Sequence, residues 1–332
     1  MTLHVFNPGH DEALAANTPY YTDSRAAQIL STDLRSLPQH WAQEGDLWTL
    51  PTSSRGWESV HTIAPWGWDM ALAHRLLRLG APLRLLPEEE DLQRIRQLSS
   101  RHTAVELLPK ISPYHAMWCE TMTEVEQALR ETPSAYIKAP WSSSGRGILR
   151  TKGQLSGSEV GRIARWLRQQ GAVVVEQAYE KQQDFAIEFE ASKDGIRYAG
   201  LSLFSTEGMG AYSGNLVAEE ALLRQQLPPL EDTIATLRTA LERHLIGYEG
   251  PLGVDMMYLK DGSIHPCVEI NLRRTMGWVA IQLRHLIPAN DCHRYTIRPL
   301  APLAHGERNL TPEGRIVQAI LQPYKQGLLK GT

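Results

Sequence analysis

Apolar positions fall into short runs separated by turn residues. Leu3-His4-Val5-Phe6 predicts a buried strand that ends at Asn7-Pro8-Gly9. From about Arg25 to Trp41, Ala26, Ile29, Leu30, Leu34 and Leu37 keep helical spacing. Ser59 to Ala64 predicts a second strand, stopped by Pro65. Asp69 is placed to cap a helix carrying Met70, Leu72, Ala73, Leu76 and Leu77, with Gly80 as its stop. Leu83-Arg84-Leu85-Leu86 predicts a third strand, and a helix with an acidic first turn follows from Glu88. This alternation predicts a small α/β domain with a mainly parallel sheet over residues 1–100.

The pattern then changes. A helix from Arg101 towards Leu108 leads to a strand at Ala135-Tyr136-Ile137-Lys138. A small-residue loop, Trp141 to Gly147, separates it from a strand at Ile148-Leu149-Arg150. A helix over 158–170 and an apolar strand at 172–176 complete a β-loop-β-α-β block, so residues 101–179 form a second unit. Residues 180–332 read as mostly antiparallel. Strands over 185–191 and 196–204 flank the hairpin turn Lys193-Asp194-Gly195, and strands over 253–259 and 263–270 flank Lys260-Asp261-Gly262. Residues 208–215 predict a flexible loop and residues 230–245 an amphipathic helix.

Composition narrows the function classes. With 42% hydrophobic and 21% charged residues, the chain is globular in type. A formal net charge of −3 gives no electrostatic case for nucleic acid or an anionic membrane as partner. The three cysteines, Cys119, Cys267 and Cys292, form no CxxC pair, which argues against a disulfide framework or a thiolate zinc site. The first residues lack the basic-then-apolar pattern of a signal peptide, and no run has the apolar length of a membrane span. A cytoplasmic location is the expectation. Five early tryptophans, Trp41, Trp48, Trp57, Trp66 and Trp68, predict core and interface packing.

Three segments carry candidate chemistry. Lys138 ends a strand that opens into Ser142-Ser143-Ser144-Gly145-Arg146-Gly147. Small residues let backbone N–H groups approach polyphosphate oxygens, and the lysine adds a point charge. The same composition also suits an ordinary structural turn. Alternation puts Glu269 and Asn271 on one strand face, and pairing across the hairpin turn brings Asp255 beside them. Two carboxylates and an amide oxygen suit Mg²⁺ held partly by substrate phosphates. The alternative is a solvated face with Glu269 bridged to Arg273. The third segment, Val173-Val174-Val175-Glu176-Gln177-Ala178-Tyr179 followed by Asp184, suits a hinge that lines an adenine slot, with Asp184 accepting ribose hydroxyls. Glu176 alone also reads as a strand-end charge.

In this order, Ile137-Lys138-Ala139-Pro140 with its Ser/Gly loop, Val175-Glu176, Asp184-Phe185-Ala186-Ile187, Gly253-Val254-Asp255 and Glu269-Ile270-Asn271-Leu272-Arg273 resemble the ATP-grasp superfamily, which includes D-alanine–D-alanine ligase and biotin carboxylase. The resemblance runs from about Arg101 to Ile287. It implies an α/β and α+β chain: an ATP-grasp fold preceded by a small α/β domain. By the resemblance, Lys138 is expected at the α/β-phosphates, with Ser143, Ser144, Gly145 and Gly147 closing over them. Arg101 stands where many relatives have Lys. Glu176, Gln177 and Tyr179 are expected near adenine and Asp184 near ribose. Asp255, Glu269 and Asn271 are expected to bind one or two Mg²⁺ (or Mn²⁺), and Arg273 to face the transferring phosphoryl group.

The implied activity is MgATP-dependent activation of a small-molecule or peptide carboxylate as an acyl-phosphate for attack by an amine or other nucleophile, with release of ADP and phosphate. A small-molecule kinase and a non-catalytic nucleotide-binding protein are the alternatives. Candidates on the substrate side are Tyr212 and Asn215 in the predicted loop, Arg274 and Thr275 after the metal strand, and His10 and Asp11 at the end of the first strand. The last two also suit a helix cap or surface turn. A homodimer is common among such proteins.

Overall fold

The computed structural model describes residues 1–324 except 52–53, 143–144, 146 and 209–210; at position 54 it describes the backbone alone. The first part contains β1 (Thr2–Val5), α1 (His10–Ala16), α2 (Arg25–Asp33), β2 (Thr62–Pro65), α3 (Met70–Arg78), α4 (Glu89–Leu98) and α5 (Arg101–Ile111). β1 and β2 pair in parallel, and Leu3 bridges Leu47 in the same sense. Leu3, Val5, Trp57, Ile63, Leu72 and Leu76 form the core beneath them. The Asp69 carboxylate accepts from the Leu72 amide and starts α3 as its sequence predicts.

Leu83–Leu85 is a 3-10 turn, not the expected strand. Pro82 fixes an extended entry (φ −60°, ψ 137°), and the chain then turns back on it, Leu85 N donating to the Pro82 carbonyl at 2.9 Å. Among the described residues the parallel sheet here has two strands rather than three.

The middle part contains β3 (Ala116–Cys119), α6 (Met122–Glu131), β4 (Ala135–Lys138), β5 (Ile148–Thr151), α7 (Gly157–Gln170) and β6 (Val173–Gln177). The strands form an antiparallel sheet in the order β3-β6-β4-β5. Reciprocal capping boxes start both helices, Thr121 with Glu124 and Ser156 with Glu159.

The remainder contains β7 (Lys181–Ser192), β8 (Gly195–Glu207), β9 (Ala211–Val217), α8 (Glu220–Arg224), α9 (Glu231–His244), β10 (Gly250–Leu259), β11 (Ile264–Asn271), α10 (Met276–Gln282), β12 (His293–Pro299), β13 (Arg308–Asn309) and β14 (Val317–Pro323). Among the described residues these strands form an eight-stranded antiparallel sheet, ordered β11-β10-β7-β8-β9-β12-β14-β13. Most of the segment expected as a loop is therefore strand: β9 pairs with β8 and with β12, which satisfies its backbone groups on both sides.

One face of the large sheet buries Phe185, Ile187, Phe189, Leu201, Leu203 and Val254 against α5 and α9. A separate core, with Phe6, Leu34, Trp66, Val279, Leu283 and Tyr295, ties the N-terminal part to α10 and β12. Trp66 meets Phe6 edge-on at 5.1 Å, and Trp41 meets Trp278 in the same manner. No described helix is long and apolar enough to cross a membrane.

The carboxyl ends of β1 and β2 interlock. The Asn7 amide donates to the Gly67 carbonyl at 2.9 Å, and its oxygen accepts from the Trp66 amide at 3.1 Å. The His10 ring packs on Gly67, where a Cβ would fall 2.7 Å from ring atoms. His10 Nδ1 lies 3.3 Å from Asp69, so the ring is not free to yield. Gly67→Ala is therefore expected to cost about 2 kcal/mol. An unchanged denaturant midpoint would contradict this packing.

Candidate active site

A cleft of about 540 Å³ lies where the four-stranded sheet, the eight-stranded sheet and the β1 end converge. On the large sheet, strand parity selects the lining. Asp255 lies opposite Glu269 on one side and Ala186 on the other, and Ala186 lies opposite Ser202. Gly253 lies opposite Asn271 and Glu188. Asp184 lies opposite Phe204, which lies opposite Asn215. All these residues except Gly253 line the cleft.

The carboxylates are unevenly compensated. The Arg101 guanidinium meets Glu269 at 2.8 Å and also donates to the Ala139 carbonyl and the Ser142 hydroxyl. Arg101 thus joins the metal-strand candidate to the loop after β4, with only 5% of its surface exposed. The bridge from Glu269 runs to Arg101 rather than to Arg273. Asp255 accepts from the Asn271 amide at 3.4 Å and has no ion-pair partner among the described residues. Burial, then the Glu269 and Glu188 carboxylates, push its acid well above the ordinary range. Two facing carboxylates and an amide oxygen, one acid buried without a cation, fit Mg²⁺. Among the described residues no three His, Cys, Asp or Glu side chains form a metal cage, so substrate oxygens or water would have to complete the coordination.

Arg273 donates to both Asp11 oxygens, at 3.1 and 3.0 Å, and to the Asn271 oxygen at 2.8 Å. Burial opposes the Asp11 charge, but Arg273 and neighbouring cations outweigh it and hold the acid below its ordinary range. Asp11 is the first residue after His10 in α1, so the β1 end reaches the cleft directly.

Across the cleft, Lys138 is ion-paired with Glu176 on the neighbouring strand. Gln177 and Tyr179 line the same wall, and Tyr179 stacks edge-on with Tyr114 at 5.1 Å. Asp184 is ion-paired with Lys181 and accepts from Thr206 at 2.8 Å. Gly145, at φ 74°, lines the cleft. Gly147 does not: it backs the loop, its carbonyl accepting from Ala139 at 2.9 Å. Ser143 and Ser144 lie outside the described residues.

The substrate-side candidates divide. Tyr212, Asn215, Thr275 and Asp11 line the cleft. The Tyr212 hydroxyl donates to Asn215 at 2.6 Å, and Thr275 caps α10 while donating to Glu188 at 2.6 Å. Arg274 and His10 are elsewhere. The Arg274 guanidinium donates to the Ala64 and Pro65 carbonyls at 2.8 and 2.7 Å and lies over Trp278, so it fastens β2 to α10. His10 is held by Asp69 and Gly67 beside the cleft wall.

Among the lining residues that the sequence analysis did not single out are Lys181, Glu188, Ser202 and Thr206. Parity alone would have found Glu188, since it shares a β7 face with Asp184 and Ala186, while Phe185, Ile187 and Phe189 share the other. Burial pushes its acid from 4.5 up to about 7, against the Thr275 hydrogen bond and the Arg273 charge. The folded protein then holds a proton that the unfolded chain releases, so stability falls as pH rises through that window. The expected loss is about 3 kcal/mol between pH 4.5 and 7. Glu188→Gln should remove this contribution; an identical pH–stability curve in that variant would contradict it.

No protein-family model matches the chain, and no curated protein matches it. Solved structures do. N5-carboxyaminoimidazole synthetase from Staphylococcus aureus, complexed with ADP, is 10% identical and superposes with a TM-score of 0.55 over 98% of this chain and 93% of its own. The carboxyaminoimidazole ribonucleotide synthase of Aspergillus clavatus, complexed with ATP, is 15% identical with a TM-score of 0.55, over 97% and 93%. The biotin carboxylase domain of the Hydrogenobacter thermophilus 2-oxoglutarate carboxylase, with MgADP and bicarbonate, is 13% identical with a TM-score of 0.56, over 97% and 86%. Near-complete coverage in both directions, with the two sheets and the cleft between them, gives this chain the ATP-grasp fold.

Proposed function

We propose that the protein is an ATP-dependent ligase that activates a carboxylate as an acyl-phosphate for attack by an amine. One observation supports this most directly. The facing carboxylates Asp255 and Glu269, with Asn271, share a cleft with Lys138, Arg101 and Arg273. ATP and a carboxylate repel each other, and a site that joins them needs cations on both sides of the transferring phosphoryl group. In this reading Lys138 binds the α/β-phosphates, Ser142 and Gly145 of the following loop border them, Gln177 and Tyr179 border the base, and Asp184 accepts the ribose hydroxyls. The solved structures of this fold that hold ADP, ATP or MgADP support the same ligand here.

Asp255, Glu269 and Asn271 would hold Mg²⁺, which when bound neutralises phosphate charge. Arg273, fixed by Asp11 and Asn271, faces the transferring phosphoryl group. The substrate carboxylate oxygen then bonds to the γ-phosphorus as the bond to ADP breaks. The amine next bonds to the acyl carbon as the C–O bond to phosphate breaks, and the amine proton leaves to solvent. Covering the loop side excludes water, which would otherwise hydrolyse the acyl-phosphate.

Phosphate release from ATP tests the proposal. Screened over carboxylates and amines, release should require one of each. Release of a phosphorylated product with no amine present would make the protein a kinase instead.

A further inference from the structure

Glu188 is 1% exposed, and among the described residues it has no cation within ion-pair distance. It accepts a hydrogen bond from the Thr275 hydroxyl. Ser202, on the adjacent strand, is also 1% exposed, and its hydroxyl has no hydrogen-bond partner among the described residues. The two groups meet at Gly277. A Cβ there would fall 2.2 Å from Ser202 Oγ and 2.4 Å from Glu188 Oε1, so only glycine at 277 lets both groups pack this closely on the backbone. All three residues line the cleft, beside the row formed by Asp255 and Glu269.

A buried carboxylate is costly unless it is paired, and a buried hydroxyl is costly unless it is bonded. A carboxylate excludes an anionic or purely acceptor ligand. A carboxylate beside a hydroxyl, both packed against a glycine in the cleft lining, matches a small group that is both cationic and rich in N–H donors. We propose that Glu188 and Ser202 form the subsite for the amino group of the nucleophile, a primary amine. This rests on the ligase reading, which supplies the need for an amine but does not say where it binds. Glu188 then provides the counter-charge and Ser202 an acceptor, so secondary and tertiary amines lose contacts in proportion to their missing N–H groups.

The test uses methylammonium chloride as probe and tetramethylammonium chloride, which has no N–H, as its control at equal ionic strength. The full chain is melted with a non-hydrolysable MgATP analogue present. Methylammonium should raise the midpoint by about 2 °C over the control. Ser202→Ala and Glu188→Gln should each abolish that difference while keeping the shift produced by the nucleotide itself. Equal effects of the two salts on the wild type, or an undiminished difference in both variants, overturn the subsite. Loss of the nucleotide shift in Glu188→Gln also overturns it, by assigning Glu188 to the metal side of the cleft. A wild type that the nucleotide does not stabilise at all removes the ligase reading, a failure distinct from that of the subsite. Ser202→Ala keeps the test open should Glu188→Gln fail to fold.

Discussion

Glu269→Gln is expected to lower Mg²⁺-dependent ATP turnover by on the order of 10²–10³-fold, with little loss of fold. Glu269 faces Asp255 across the β10–β11 pair and also meets Arg101 at 2.8 Å. Glutamine keeps an oxygen for the Arg101 guanidinium but removes the charge that a divalent cation needs. Alanine is the less informative change. It would leave Arg101, 5% exposed, beside no carboxylate, and breaking such a pair costs about 3–5 kcal/mol. Steady-state turnover at saturating MgATP, with circular dichroism to verify the fold, checks the prediction. Full turnover in Glu269→Gln would remove this residue from the metal set.

Lys138→Ala should weaken ATP binding about a hundredfold, roughly 3 kcal/mol. The lysine has only 7% of its side chain exposed and is ion-paired with Glu176, so its charge is held in the cleft rather than in bulk water. Removing it deprives a bound polyphosphate of a cation. It also leaves Glu176 unpaired and facing the same anion, so the two effects add in one direction. Glu176→Gln in the same background should recover part of the loss by removing that repulsion. Calorimetric titration with MgATP checks both, and equal affinity in wild type and Lys138→Ala would place the lysine outside the nucleotide site.

The parts of the site carried by local rules were legible in the sequence. Strand parity put Glu269 and Asn271 on one face, and the hairpin turn at Lys260-Asp261-Gly262 brought Asp255 opposite. Lys138 ends the strand predicted for it. What could not be read is the pairing of distant charges. Arg101 meets Glu269 across 168 positions and Arg273 meets Asp11 across 262, and neither pairing leaves a periodic trace. Arg274 failed as a cleft residue for a related reason. One step along the chain after Arg273, it turns to the carbonyls of Ala64 and Pro65, which belong to a different sheet.

The fold divides along the same line. The Leu83 run is as apolar as a strand, but strand formation needs a neighbour, and Pro82 starts a turn first. Residues 211–217 contain Gly214 and follow Gly208 and Gly210 in the sequence, yet they are strand because β8 and β12 flank them. α6 was readable and missed: Thr121 and Glu124 have the spacing of a capping box ahead of Val125, Ala128 and Leu129.

The central claim is a nucleotide site built on Asp255, Glu269 and Lys138. The most direct measurement is the melting temperature with ATP, with and without Mg²⁺, for wild type and Glu269→Gln. A ligand that binds only the folded state must raise the midpoint. The account predicts a Mg²⁺-dependent rise for the wild type that is lost in Glu269→Gln. No rise at millimolar MgATP, or an equal rise in both proteins, would contradict it.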